Sequence, residues 1–151
     1  MAIIPYVVKR IQGGNNNPDV EYFNVAASQT IVVGDLVQIN ASTRLLEVAT
    51  AASTTIVGVA NETITTSATV TASDNIPVVL ARGVVIRMNF TGAGTKKTFA
   101  STDLYSTLFD LSTKTTVNPD DVTGGMAQIV SYDNAKLTVD VVIASANQYL
   151  K

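Results

Sequence analysis

The chain predicts an all-β fold: a compact β-barrel-like or β-sandwich domain with one short helix and an extended N-terminal arm. Three observations carry this expectation. Apolar residues make up 46% of the chain and charged residues 15%, with Val, Ile and Ala foremost among the apolar set and Thr frequent among the polar one. That mixture suits pleated, half-buried surfaces better than helices. The strand-like runs are short and closely spaced, with turn residues between them, as in barrels and sandwiches. Finally, a strand-turn-strand pattern occurs twice. Val33-Gly34-Asp35-Leu36-Val37 leads to Val57-Gly58-Val59-Ala60, and Ser101-Thr102-Asp103-Leu104-Tyr105 leads to Met126-Ala127-Gln128-Ile129-Val130. When Asp35 is placed on Asp103, Gly58 falls near Ala127 after one inserted residue.

The 151 residues suit a single domain, since a chain of that size buries roughly 70% of its unfolded surface. We divide it into an arm (1–12), a flexible joint (13–19) and one β-rich domain (20–151). Ile3 to Ile11 reads as an extended arm or strand, because Ile, Tyr and Val cluster there. Pro5 lacks a ladder donor and therefore points to a sheet edge. Gly13-Gly14-Asn15-Asn16-Asn17-Pro18-Asp19 follows as the joint, its residues being tolerant of turn conformations and unable to build a core.

Strands are expected at Val20–Val25, Thr30–Val33, Leu36–Asn40, Leu45–Val48, Ile56–Ala60, Ala68–Ala72, Ile76–Leu80 and Gly83–Asn89. Gly34-Asp35 fits a two-residue hairpin with Gly first, where a positive φ is needed. Val84, Ile86 and Met88 alternate with Val85, Arg87 and Asn89, placing the first set on an inward face. Thr98–Ser112 is the helical candidate, with Phe99, Leu104, Leu108 and Leu111 near helical spacing and Ser101 or Thr102 as a cap. Turns at Asn118-Pro119-Asp120-Asp121 and Gly124-Gly125 precede two last strands, Met126–Tyr132 and Leu137–Ser145.

Little in the residue inventory points to catalysis. The chain has neither His nor Cys, which removes the commonest general base, the thiolate nucleophile and the usual zinc ligands. A carboxylate pair could still cleave glycosides, and Asp120, Asp121, Asp133 and Asp140 are available for one. The first two sit in a Pro/Gly turn, and there is no Trp to form a sugar platform. Gly92-Ala93-Gly94-Thr95-Lys96-Lys97-Thr98 lacks the Gly-Lys-Ser/Thr ending of a phosphate loop and reads instead as a hairpin tip. Asn15–Asp19 and Asn118–Asp121 offer oxygen ligands without the alternating acids of a Ca²⁺ loop, so turn formation is expected at both. No catalytic, cofactor-binding or metal site is assigned.

A net charge of -2 gives no footprint for direct nucleic-acid binding. The apolar N-terminal stretch is too short to span a membrane and precedes Lys9-Arg10 rather than following basic residues, so neither a signal peptide nor an anchor is expected. The arm is the better functional candidate, because an extended apolar segment can add to a neighbour's sheet edge. Alternatively it completes its own barrel. The interface candidates are Ile3, Ile4, Pro5, Tyr6 and Val7.

The ordered set Val33-Gly34-Asp35-Leu36-Val37, Ile56-Val57-Gly58-Val59-Ala60, Ala81-Arg82-Gly83-Val84-Val85, Asp103-Leu104-Tyr105 and Leu137-Thr138-Val139-Asp140-Val141-Val142 resembles the small capsid decoration, or cement, proteins of tailed bacteriophages. The resemblance spans Val20 to Ile143, and Ala127 departs from it where Gly would be expected. It implies a non-enzymatic virion component on the outer capsid surface, without cofactors, forming a homotrimer and bridging neighbouring subunits of the major capsid protein. Closed symmetry would repeat one interface without open-ended growth. Another phage structural part, such as a head-fibre base or tail protein, is the alternative. A carbohydrate-binding β module is a third reading, which Tyr6, Tyr22, Tyr105, Tyr132 and Tyr149 would have to serve.

Overall fold

The computed structural model describes residues 2–11 and 18–150, so most of the expected joint, Gly13 to Asn17, lies outside the described residues. The fold is all-β. Its strands are β1 (Tyr6–Arg10), β2 (Val20–Asn24), β3 (Thr30–Ile31), β4 (Leu36–Ile39), β5 (Leu46–Val48), β6 (Ile56–Ala60), β7 (Ile64–Thr65), β8 (Asn75–Leu80), β9 (Val84–Phe90), β10 (Leu108–Thr113), β11 (Thr116–Asn118), β12 (Ala127–Asp133) and β13 (Thr138–Ile143). Two single 3-10 turns, Ser101–Asp103 and Ser145–Asn147, are the helical elements among the described residues.

The strands make two barrels with the same strand order. In the second half β9 pairs β13, β13 pairs β12, β12 pairs β10 and β10 pairs β11, all antiparallel, and β11 returns parallel to β9 to close the ring. In the first half β2 pairs β8, β8 pairs β6, β6 pairs β4 and β4 pairs β5, again all antiparallel. A single parallel bridge between Val25 and Leu46 then returns β5 to β2. The correspondence extends to individual bonds at the closing seam. Ala26 donates to the Leu46 carbonyl, as Thr91 donates to that of Val117, both at 2.9 Å.

This equivalence corrects the sequence alignment of the repeat. Val37 pairs with Gly58 as Phe109 pairs with Ala127, so the second half of the repeat is registered as expected. The first half is not. Gly34 donates to Ala60, and the bond at the matching place joins Tyr105 to Ile129, so Gly34 corresponds to Tyr105 and Asp35 does not correspond to Asp103. Both Gly34 and Tyr105 have positive φ, at 92° and 61°. Gly meets that requirement without steric cost, whereas Tyr105 is held there by the surrounding bonds.

The two barrels are fused along β4 and β6. Val37, Ile39, Val57 and Ala60 turn into the first barrel with Val25, Ile31, Leu46, Ile76, Val78 and Leu80. On the opposite faces Leu36, Ile56 and Val59 join the core of the second barrel, among them Ile86, Met88, Phe90, Phe109, Ile129 and Val141. All five residues of β6 are therefore buried. Gly58 lies at a close approach of β6 to β8, where a Cβ would fall 1.9 Å from the Val79 carbonyl oxygen. The C-terminal segment adds a second tie, with Tyr149 donating to the Ile56 carbonyl at 2.8 Å.

Several local expectations are overturned. The helix over Thr98–Ser112 shrinks to Ser101–Asp103, and Leu108–Thr113 is a strand. Phe109 and Leu111 bury on the inner face of β10 at strand spacing, and that packing outweighs the helical spacing of the four apolar residues. Ala68–Ala72 forms no strand. Asp74 caps the turn from Thr71 instead, and Ile64–Thr65 takes the strand role against β3. Thr116–Asn118 is an additional strand that the sequence did not suggest. Gly34-Asp35 is not a hairpin, because β3 pairs β7 while β4 pairs β5 and β6. The loop Gly92–Thr98 is no hairpin tip either, since it leads from β9 to the Ser101–Asp103 turn. In that crossing Phe99 enters the barrel and meets Phe90 and Phe109 edge-on, with ring centroids 4.8 and 5.1 Å away. The inward alternation of Val84, Ile86 and Met88 holds, and Val85 is buried as well.

Candidate interaction surface

The arm lies along its own chain. Strand β1 pairs antiparallel with the first half of β9, placing Tyr6 opposite Arg87, Val7 opposite Ile86 and Arg10 opposite Val84. It occupies the stretch of the β9 edge that β11 leaves open, because β11 reaches only Asn89 and Phe90. Among the described residues β1 has this one strand partner, which makes it an edge strand as Pro5 suggested, but the strand proper is shorter than Ile3–Ile11.

The five interface candidates divide by environment. Ile3 is anchored through its N–H to Asn89 Oδ1 at 2.6 Å. Pro5 is buried, and Val7 packs against the core of the second barrel. Ile4 and Tyr6 project outward, exposed at 58% and 45%. Ile4 nevertheless has a seat: its Cγ2 occupies the space in which Gly34 would carry a side chain. Gly34 thus both supplies the left-handed turn and clears a place for the arm. The structure brings these residues onto one extended segment that runs into β1, with three of the five, Ile3, Pro5 and Val7, holding it down.

The exposed apolar surface extends beyond the five residues. Val8 and Ile11 continue it along β1, and Tyr105 is 65% exposed. A groove of about 400 Å³ joins Ile11 to Tyr105, lined by Lys9, Arg10, Ile11, Val85, Tyr105, Gln128, Val130 and Val142. Tyr105 is fixed there by its hydroxyl donating to the Val130 carbonyl at 3.1 Å. The sequence signalled Val8 and Ile11 through their place in the apolar run. Tyr105 could not be found that way, because its neighbours come from β12 and β13.

The acidic residues serve the backbone and its ion pairs. Asp35 Oδ2 accepts the Val32 N–H at 2.8 Å, and Asp103 Oδ2 accepts the Ala100 N–H at 2.7 Å. Each is also paired with a lysine, Asp35 with Lys114 at 2.7 Å and Asp103 with Lys96 at 2.6 Å. The shared Asp of the two sequence copies is therefore a recurring turn device at positions that are not equivalent in the barrels. Arg87 makes two bonds to Asp140, at 2.7 and 2.8 Å, across the β9–β13 pair. Those bonds raise Arg87 above the usual guanidinium range, against the opposing effect of burial.

Asp133 is held below the usual carboxylate range, chiefly by the Lys136 backbone N–H. Asp110 is pushed up by burial. In the Asn118–Asp121 turn, Asn118 Oδ1 accepts the Asp120 N–H and Asp121 Oδ1 accepts the Thr123 N–H, which accounts for these oxygens as turn formers. Among the described residues no group of three or more His, Cys, Asp or Glu is placed to hold a metal ion. No helix among them is long and apolar enough to cross a membrane.

Compared with known proteins, the chain matches no family model, and no curated protein matches it.

Proposed function

We propose that the chain is a non-enzymatic structural component of a phage virion, binding the outer surface of the capsid and bridging neighbouring subunits of the major capsid protein as a homotrimer. The observation that carries this reading is the ordered motif set of the sequence, which spans both barrels. Two further features support it. The barrels are fused through a buried strand, a rigid arrangement suited to passing load between contacts. The arm exposes Ile4, Tyr6, Val8 and Ile11, and the groove beside it exposes Tyr105, with Lys9 and Arg10 in the groove wall. Apolar and aromatic residues inside a polar rim are what protein-protein contacts are built from.

The test is to add purified protein to undecorated capsids. Saturable binding with a gain in capsid thermal stability is the expected result, and the absence of either overturns the reading. Electron cryomicroscopy of the decorated particle then locates the protein, and mass measurement in solution tests whether trimers form before attachment.

A further inference from the structure

The equivalence of the two barrels exposes a difference between them. On the second barrel, the edge of β9 beside Val84–Arg87 is taken by β1. On the first barrel the corresponding edge belongs to β2, beside Asp19–Tyr22. β2 pairs β8 alone apart from the bridge at Val25, so no strand of the described residues fills that place.

The direction of the backbone groups follows from the ladder. Leu80 donates to the Asp19 carbonyl and Val25 donates to that of Asp74, so the odd-numbered residues of β2 bond to β8. Tyr22 stands opposite Pro77, which has no N–H to give, consistent with a pair that exchanges no bonds. The N–H and C=O of Val20 and Tyr22 therefore point away from β8. Their side chains are also exposed, at 44% and 68%. A free edge of this kind is a template for a further strand.

We infer that the edge of β2 at Val20 and Tyr22 takes up an extended segment of the binding partner, which adds to the first barrel where β1 adds to the second. β1 is already held by β9, so the segment we assign to this edge comes from the partner. Its chemistry is set by what it would meet: apolar or aromatic residues against Val20 and Tyr22, and a basic residue near Glu21, since Asp19 is already paired with Arg10 and Arg82 at 3.6 and 3.7 Å. β1 has this character, and in the register it uses on β9 its tyrosine would face Tyr22. That the partner is a capsid subunit rests on the function proposed above; that the edge accepts a strand does not.

The first experiment adds a synthetic peptide of residues 4–11 to the intact protein and follows amide hydrogen exchange by NMR. Slowed exchange at Val20 and Tyr22 is expected, with Lys9 unchanged, and the same peptide N-methylated at the residues facing the edge should lose the effect. No protection at Val20 and Tyr22, or loss of protection at Lys9 from exchange of β1, overturns the inference. So does protection that rises with protein concentration alone, which would make a second copy the occupant. Tyr22→Pro removes an outward donor while sparing the β8 ladder, and should weaken peptide binding by about tenfold or more. If wild-type protein binds capsids and a folded Tyr22→Pro variant binds them equally well, the inference falls and the decoration reading stands. If wild-type protein does not bind capsids, the decoration reading falls and the peptide result alone decides the edge.

Discussion

Lys114 Nζ lies 2.7 Å from the carboxylate of Asp35, joining the β10–β11 turn of the second barrel to the entrance of β4 in the first. The Leu36 N–H donates to the Lys114 carbonyl at 2.9 Å beside it, so backbone and side chain tie the barrels at one point. Asp35 is 3% exposed, which makes its partners matter more than those of a surface carboxylate.

Removing the lysine leaves a buried carboxylate with one backbone donor. Lys114→Met should therefore destabilise the protein by about 1–3 kcal/mol, and Asp35→Asn in that background should recover part of the loss. Chemical denaturation of the two single variants and the double variant measures the coupling. Additive effects would show that the pair contributes nothing beyond its separate parts.

Gly34 supports the arm as well as the turn. Gly34→Ala places a methyl group in the space held by Ile4 and strains a φ of 92°. We expect a loss of about 1–2 kcal/mol and faster amide exchange along Tyr6–Arg10 than in the rest of β9's sheet. Unchanged protection of β1 would mean that Ile4 is not what seats the arm.

Phe99 fills the second barrel between two aromatic rings. Phe99→Ala should cost about 3–5 kcal/mol, and Phe99→Leu clearly less, as judged from urea unfolding. A small effect of the alanine change would indicate that the Gly92–Ala100 loop collapses into the space.

Asp110 sets a pH dependence of opposite sign to that of a salt-bridged acid. Burial raises its carboxyl above the unfolded value, with Asp121 adding repulsion and the Leu111 N–H opposing the rise. The folded state thus binds the proton more tightly, so this group's contribution is most favourable below the unfolded pKa and is lost as pH rises through the folded one. Asp110→Asn should stabilise the protein at neutral pH, with the gain vanishing in acid. Denaturation at both pH values checks this, and a gain that persists in acid would assign the effect to something other than ionisation.

The strand positions were legible because β-branched residues and inward alternation are local properties, as Val84–Phe90 and Ile56–Ala60 illustrate. The arm was legible for the same reason, through its apolar run and Pro5. The helix was misread because Phe99, Leu104, Leu108 and Leu111 satisfy helical spacing in isolation, while the choice between spacings belongs to the core that Phe109 and Leu111 enter. The groove around Tyr105 and the β2 edge that no described strand fills were beyond reach, since each is defined by partners distant in the chain.

By itself, the sequence determined the all-β class, most strands and the role of aspartate in shaping turns, because side-chain shape and local hydrogen bonding act within a few residues. The tertiary structure decided which strands pair, that they close into two barrels of one topology, and that β4 and β6 are buried between them. Those outcomes depend on bonds such as Ala26 to Leu46 and Thr91 to Val117, whose partners meet only when the chain closes on itself. They also assign β1 to the second barrel and leave the matching edge of the first without a strand among the described residues.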